Sequence, residues 1–177
     1  PDLINFSNAA FYKSRLIPKP PSQNYCPIEF YSVKGRFVNQ LNGDEARAIV
    51  NYIETKINKT KSVGVATFSL KQKDNVLNEL ELRSKQSLSF YKKLEQLRAN
   101  GLFVKNIENI QGEERVIIIM GTTYGLDIDQ SFKEYLGPIN TKKRGHKLLN
   151  VIITRAIEKM VLFSSIPEVV FSNYKSL

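Results

Sequence analysis

Short runs of consecutive apolar residues alternate along this chain with longer stretches in which apolar residues return every three or four positions. The short runs are Ile28–Val33, Val63–Phe68, Leu102–Val104, Val116–Met120 and Met160–Ser164, rich in β-branched and aromatic residues, and each is predicted to be a strand. Between them lie amphipathic segments. Leu3, Ile4, Ala10, Phe11 and Leu16 predict a helix within residues 1–17, stopped by Pro18, Pro20 and Pro21 ahead of a Pro-rich loop over 18–27. Residues 35–43 read as loop. Asn42-Gly43-Asp44-Glu45 opens a helix with Asn42 as its cap and Glu45 positioned to reach back, and Ala46, Ile49, Val50, Ile53 and Ile57 form its apolar face. Residues 58–62 read as a basic turn.

Ser69, followed three residues on by Gln72, caps a helix predicted to turn Leu70, Leu77 and Leu80 inward. A second helix over Ser87–Arg98 is predicted to bury Leu88, Tyr91, Leu94 and Leu97, and Asn100-Gly101 stops it. Residues 122–141 have turn chemistry and little periodicity, which predicts a long loop of functional character. Arg144–Glu158 is predicted to be a helix with Leu148, Leu149, Ile152, Ile153 and Ala156 inward, and residues after Ile166 read as a tail. Strands that are apolar throughout, separated by amphipathic helices, imply an α/β fold: a parallel sheet with helices on both faces.

Bulk properties agree with a single domain spanning residues 1–177. The 42% of apolar residues is enough for one core, and the 24% of charged residues is ordinary for a globular chain. No apolar run reaches the length of a membrane helix, so no membrane association is expected. A lone cysteine, Cys26, cannot form an internal disulfide, which fits a reducing cytoplasm. The chain begins at Pro1 rather than Met, as a piece of a larger protein would.

Charge changes the picture further. A net charge of +9 points towards a polyanionic partner, nucleic acid or nucleotide phosphates, although a merely basic surface has the same sum. The basic residues are dispersed except for one cluster, Lys142-Lys143-Arg144-Gly145-His146-Lys147. Four features carry candidate chemistry, and each has a plainer structural explanation beside it. Arg155 is a polar position in an otherwise apolar segment. It either pairs with a carboxylate within the fold or aims a planar fork at a phosphate. Gln111-Gly112-Glu113-Glu114-Arg115 combines a tight backbone with groups able to orient polar ligands, or is a solvated turn with a surface ion pair. Thr67 with Ser69 could bind phosphate at a helix start, or Ser69 is simply a cap. Tyr124 could stack on a base, or is a partly buried tyrosine. One histidine with no cysteine nearby gives no support to a His-based metal site or a Ser/His/Asp triad. Glu54-Thr55-Lys56 imitates part of a nuclease signature but falls on the exposed side of a helix. There is no G-x-x-x-x-G-K-[ST] phosphate loop, so this segment alone should not hold ATP well.

Taken in order, four blocks resemble superfamily 1 helicases of the Upf-like and Dna-two-like branch, and within it large bacterial helicase-related proteins. They are Leu3-Ile4-Asn5-Phe6-Ser7-Asn8 with Phe11-Tyr12; Val63-Gly64-Val65-Ala66-Thr67-Phe68 with Gln72; Asn106 to Arg115; and Leu149-Asn150-Val151-Ile152-Ile153-Thr154-Arg155-Ala156. The resemblance covers nearly the whole chain. It implies the second RecA-like motor domain, a P-loop NTPase fold lacking its own phosphate loop, which faces a first RecA-like domain upstream. The first domain would supply the phosphate loop and the magnesium-binding acid. By the resemblance, Gln111, Gly112 and Glu114 form the motif V loop that couples nucleotide to nucleic acid. Arg155 is the motif VI arginine that reaches the γ-phosphate, where an arginine finger is worth about 10³–10⁵ in rate. Thr67, Asn106 and Thr122 are the expected nucleic-acid contacts. The chain departs from the family at Leu148, where a second basic residue is common, at Val116, where an acid usually follows the motif V arginine, and at Asn106, which stands for a threonine.

The expectation is therefore the C-terminal motor domain of an ATP-dependent helicase. It needs ATP and Mg²⁺ only together with the first domain, is inactive alone, and tracks single-stranded nucleic acid, DNA in preference to RNA. A RecA-like module that binds nucleic acid or protein without turnover is the alternative. A small-molecule α/β enzyme with a deep closed pocket is the third.

Overall fold

The computed structural model describes residues 27–132, 150–168 and 170. The predicted helix within 1–17, most of the Pro-rich loop, the basic cluster 142–147 and the start of the predicted helix at 144 lie outside the described residues. Five strands are present: β1 (Ile28–Ser32), β2 (Val63–Thr67), β3 (Phe103–Asn106), β4 (Arg115–Gly125) and β5 (Ala156–Ser165). They form one sheet in the order β1-β5-β4-β2-β3, and every described pair is parallel. Among the described residues, three long helices accompany them: α1 (Gly43–Lys56), α2 (Leu70–Gln86) and α3 (Leu88–Ala99).

The sheet is buried on both faces because its central strands alternate between two cores. Val63 and Val65 of β2, Ile117 and Ile119 of β4, and Val161 and Phe163 of β5 turn to the first face, against Ile49 and Ile53 of α1, Val76 and Leu80 of α2, and Phe90 and Leu94 of α3. Ala66, Ile118, Met120 and Met160 turn to the second face. There they meet Ile107 and Ile110, which follow β3, and Ile152 and Ile153, which precede β5. The three long helices thus share the first face. The second is covered, among the described residues, by a 3-10 turn at Ile107–Asn109 and a helical turn over residues 150–153.

Where the sequence pattern and the structure differ, the cause is local. Leu70 and Leu88 are 57% and 68% exposed, and Leu77 and Tyr91 are exposed as well. The inward stripe of α2 is instead Gln72, Val76, Leu80 and Ser84, and that of α3 is Phe90, Leu94 and Leu97. Two polar members hide the α2 stripe from a count of leucines. β4 runs on to Gly125, so Thr122, Thr123 and Tyr124 belong to a strand rather than to the predicted loop. The predicted helix ending at Glu158 stops at Ile153, and β5 begins at Ala156. Ala156 is buried as expected, but as a strand residue paired with Arg115.

Gly64 of β2 lies beneath the Phe103 ring of β3. A Cβ there would overlap that ring and lie 2.8 Å from Ile118 Cδ1. Gly64→Ala is therefore expected to lower stability by about 1–3 kcal/mol in urea denaturation, the usual cost of overpacking. In a Phe103→Leu background the same substitution should cost measurably less.

Candidate nucleotide lip and strand edge

At the edge where the parallel strands begin, the two charged blocks lie side by side. The Arg115 amide donates to the Arg155 carbonyl at 3.1 Å. The turn before β4 is closed by the Glu113 amide donating to the Ile110 carbonyl at 3.1 Å, and Gly112 adopts φ +83 with open space where a Cβ would stand. Only glycine enters that region without strain. Arg155 occupies the turn between the helical residues and β5, not a helix face. Its Nε donates to the Val151 carbonyl at 3.1 Å, its Nη2 to Thr154 Oγ1 at 3.3 Å, and its Nη1 lies 3.6 Å from Glu114 Oε1. The Arg155 side chain is 23% exposed, outside any sealed core and close to Glu114 in the turn before β4. Glu114 is more exposed, so their ion pair is weak and readily exchanged for a more highly charged anion. Glu113 is committed elsewhere, to Lys105 at 2.7 Å and Arg115 at 3.1 Å, and the Lys105 hydrogen bond lowers its pKa. The Arg115 guanidinium lies 4.8 Å over the Phe103 ring, and Gln111 is exposed.

The other predicted site residues gather at the opposite edge, where the strands end. Thr67 is the register partner of Asn106 on one side and of Gly121 on the other, with Thr122 next along β4. The chain leaving β2 turns to the first face, whereas the helical residues 150–153 that lead into β5 lie on the second. This is the topological switch point at which open parallel sheets accept ligands. Thr67, Asn106 and Thr122 are nevertheless buried. Thr67 Oγ1 donates to the Ser69 carbonyl at 3.0 Å. Ser69 Oγ accepts the Gln72 amide at 3.0 Å and donates to the Gln40 carbonyl at 3.0 Å, which makes it a helix cap. Tyr124 is likewise buried, its ring 5.1 Å from that of Phe37 and 6.2 Å from that of Phe68.

Beneath this edge lies a residue to which sequence reasoning gave only a capping role. Asn42 caps α1 as expected, accepting the Glu45 amide at 3.0 Å. Glu45 does not complete the capping box. That part is taken by Gln72, which accepts the Asn42 amide at 2.8 Å and donates to its carbonyl at 2.9 Å. The fully buried Glu45 carboxyl instead enters the sheet end. Its two oxygens accept the Thr123 amide at 2.9 and 3.0 Å, and it is also reached by Gln72 Nε2 at 3.2 Å and Thr122 Oγ1 at 3.3 Å. Burial pushes its pKa up to about 8, against the lowering effect of those same donors. The spacing of a capping box concealed this role, because a cap and a buried acid both place Glu three residues after Asn.

Among the described residues, no group of His, Cys, Asp and Glu could hold a metal ion, and no helix is long and apolar enough to cross a membrane. A groove of about 390 Å³ lined by Lys34, Arg36, Gln130 and Glu168 runs past the ends of β1 and β5, and includes neither Arg155 nor Thr67.

Comparison with known proteins agrees with this fold. A family described as "AAA domain" matches residues 1–166. The chain is 36% identical over 171 residues to the uncharacterized ATP-dependent helicase MG140 of Mycoplasma genitalium, and 34% identical over 172 residues to its homolog in Mycoplasma pneumoniae. Each match covers 93% of this chain, which spans 15% of the length of either relative. Among solved structures, the fold is similar to the C-terminal domain of a possible DNA helicase from Lactobacillus plantarum WCFS1. The TM-score is 0.51 at 11% identity, covering 93% of this chain and 83% of that one.

Glu45 also sets a pH dependence. The unfolded chain releases this proton near the ordinary 4.5, the folded chain near about 8. Between those values the native state holds the extra proton, so the contribution of Glu45 to stability is complete below 4.5 and is lost as pH rises through about 8. Across that window the loss is on the order of 5 kcal/mol. Chemical denaturation at stepped pH should show this decline in the wild type and a flatter profile in Glu45→Gln, which cannot ionise.

Proposed function

The chain belongs to the AAA domain family, and on that premise we propose that it is the second RecA-like motor domain of an ATP-dependent superfamily 1 helicase. The observation that carries this reading is the placement of Arg155 beside Glu114 and the Gly112 turn on one lip, at the opposite edge of the sheet from Thr67, Asn106 and Thr122. A motor domain needs such a division, with fuel sensed at one margin and the track held at another. The relatives' names, which specify ATP-dependent helicases, support it.

In this reading the Arg155 fork exchanges its 3.6 Å contact with Glu114 for the oxygens of a terminal phosphate. The residues present fit one side of an ATP site: a partly exposed guanidinium, an exposed amide side chain at Gln111, and a backbone at Gly112 that a ligand can approach closely. ATP supplies the phosphoryl group. Arg155 offsets the charge that spreads over it during transfer, and does so from a turn pinned by the amide-to-carbonyl bond between Arg115 and Arg155. Glu114, once released, is free to accept from ribose hydroxyls. Mg²⁺ would be held by the first motor domain. Single-stranded nucleic acid, DNA in preference to RNA, would run along the edge where the strands end. Since Thr67, Asn106 and Thr122 are buried, their proposed part is the floor of that track. The net charge of +9 supports a polyanionic partner.

In the protein that carries this chain together with its first motor domain, Arg155→Ala is expected to lower strand-stimulated ATP turnover by about 10³-fold or more. Affinity for a labelled oligothymidylate should stay within about two-fold, since a lost phosphate contact worth 1.4 kcal/mol would show as tenfold. Arg155→Lys should not restore turnover, because an ammonium lacks the planar fork. Turnover that survives in Arg155→Ala would refute the finger role and favour a binding module without catalysis.

A further inference from the structure

We propose that Glu45 is a positioning residue for the nucleic-acid edge, acting through the backbone of Thr123 to hold the end of β4 in a bulge that the strand meets. This rests on the helicase reading above and assigns a further residue to it.

Three independent features converge at Glu45. First, β4 and β5 lose register there: Gly121 pairs with Phe163 but Gly125 pairs with Ser165, so β4 spends four residues where β5 spends two. Bulges of this kind re-aim side chains next to functional sites. Second, Thr123 within the bulge has φ +70, in the left-handed region that a β-branched residue rarely enters. Such strain persists only where surrounding contacts over-determine it, and it gathers at functional sites. Third, the contact that over-determines it is Glu45, whose two oxygens both accept the Thr123 amide. Room for the carboxyl exists only because position 121 is glycine: a Cβ on Gly121 would lie 2.6 Å from Glu45 Oε1.

None of this serves stability by the cheapest route. A buried carboxyl is costly to desolvate. What the carboxyl adds is connection. Through Gln72 it is tied to the start of α2, which follows Thr67, and through Thr122 it reaches Ser164 Oγ at 3.2 Å on β5. The ends of β2, β4 and β5 are thereby held to one another at the topological switch point. A neutral acid satisfies the same partners: its hydroxyl donates to Thr122 Oγ1, which passes its own hydrogen to Ser164, while the carbonyl oxygen accepts from Thr123.

The test uses the protein carrying this chain with its first motor domain, near neutral pH, with labelled oligothymidylate as the probe. Glu45→Leu, which keeps the volume and removes the acceptors, is expected to raise the strand concentration for half-maximal ATP turnover about tenfold. The KM for ATP and the turnover at saturating strand should stay near wild type. Glu45→Gln, which reproduces the neutral acid's hydrogen bonds, should remain within about two-fold of wild type. A merely structural role would instead impair ATP and strand responses together. Should Glu45→Leu fail to fold, Glu45→Asp serves: it keeps an acid in the first helical turn but withdraws it from Thr123, and the same strand-specific loss is expected. Wild-type strand response in Leu or Asp, or a loss in Gln as large as in Leu, would overturn the proposal. A wild-type protein that neither binds the oligonucleotide nor hydrolyses ATP would instead overturn the helicase reading itself.

Discussion

A carboxyl group with no access to water joins the start of α1 to the end of β4. Glu45 can occupy that position only because Gly121 leaves space for it and because Thr123 and Gln72 donate to it while Thr122 Oγ1 lies within hydrogen-bond distance. The consequences spread outwards. Thr123 is held in a conformation it would not otherwise adopt, β4 bulges away from β5, and α2 is anchored to α1 through the two-point contact between Gln72 and Asn42. A helix start, a strand irregularity and the join between two helices thus meet around one buried group, and desolvation makes that group sensitive to proton concentration within the range where most carboxyls are simply ionised.

The two edges of the sheet are built on different principles. The starting edge is wet and ionic, with Arg155, Glu114, Glu113, Lys105 and Arg115 exchanging partners over distances of 2.7 to 3.6 Å. Contacts of that kind are individually weak in water and can be traded for a ligand at small cost. The ending edge is dry. Thr67, Asn106, Thr122 and Thr123 are buried, and the hydroxyls of Thr67 and Thr122 are engaged within the fold. Polar groups held rigidly within the fold shape a surface rather than rearrange upon it. A motor that senses a changing phosphate at one edge and follows a repetitive backbone at the other would be served by that contrast.

Much of the architecture could be read directly from residue order. Short unbroken apolar runs at Val63, Val116 and Met160, and a period near 3.6 from Ala46 to Ile57, define strands and helices through local geometry alone, and their alternation implies a parallel sheet. The caps at Asn42, Ser69 and Asn100-Gly101 were equally legible, since each satisfies backbone groups within a few residues of itself. The blocks around Gln111 and Arg155 could be singled out as candidates from residue order, through their resemblance to helicase motifs.

Tertiary structure decided whatever depends on a distant partner. Which stripe of α2 faces the sheet was settled by Gln72, whose partners lie thirty positions away in the chain. That Arg155 and Glu114 meet follows from β4 and β5 being neighbours in the sheet, and that the two candidate sets separate to opposite edges follows from the strands all running one way. Local sequence assigned Glu45 to a cap, because its neighbours in the chain are those of a capping residue. Only the approach of β4, seventy-eight positions further on, made it a buried acid. Short-range patterning determines which elements form, because their hydrogen bonds close locally; the burial of a polar group depends on what packs over it, and no window of neighbouring residues contains that.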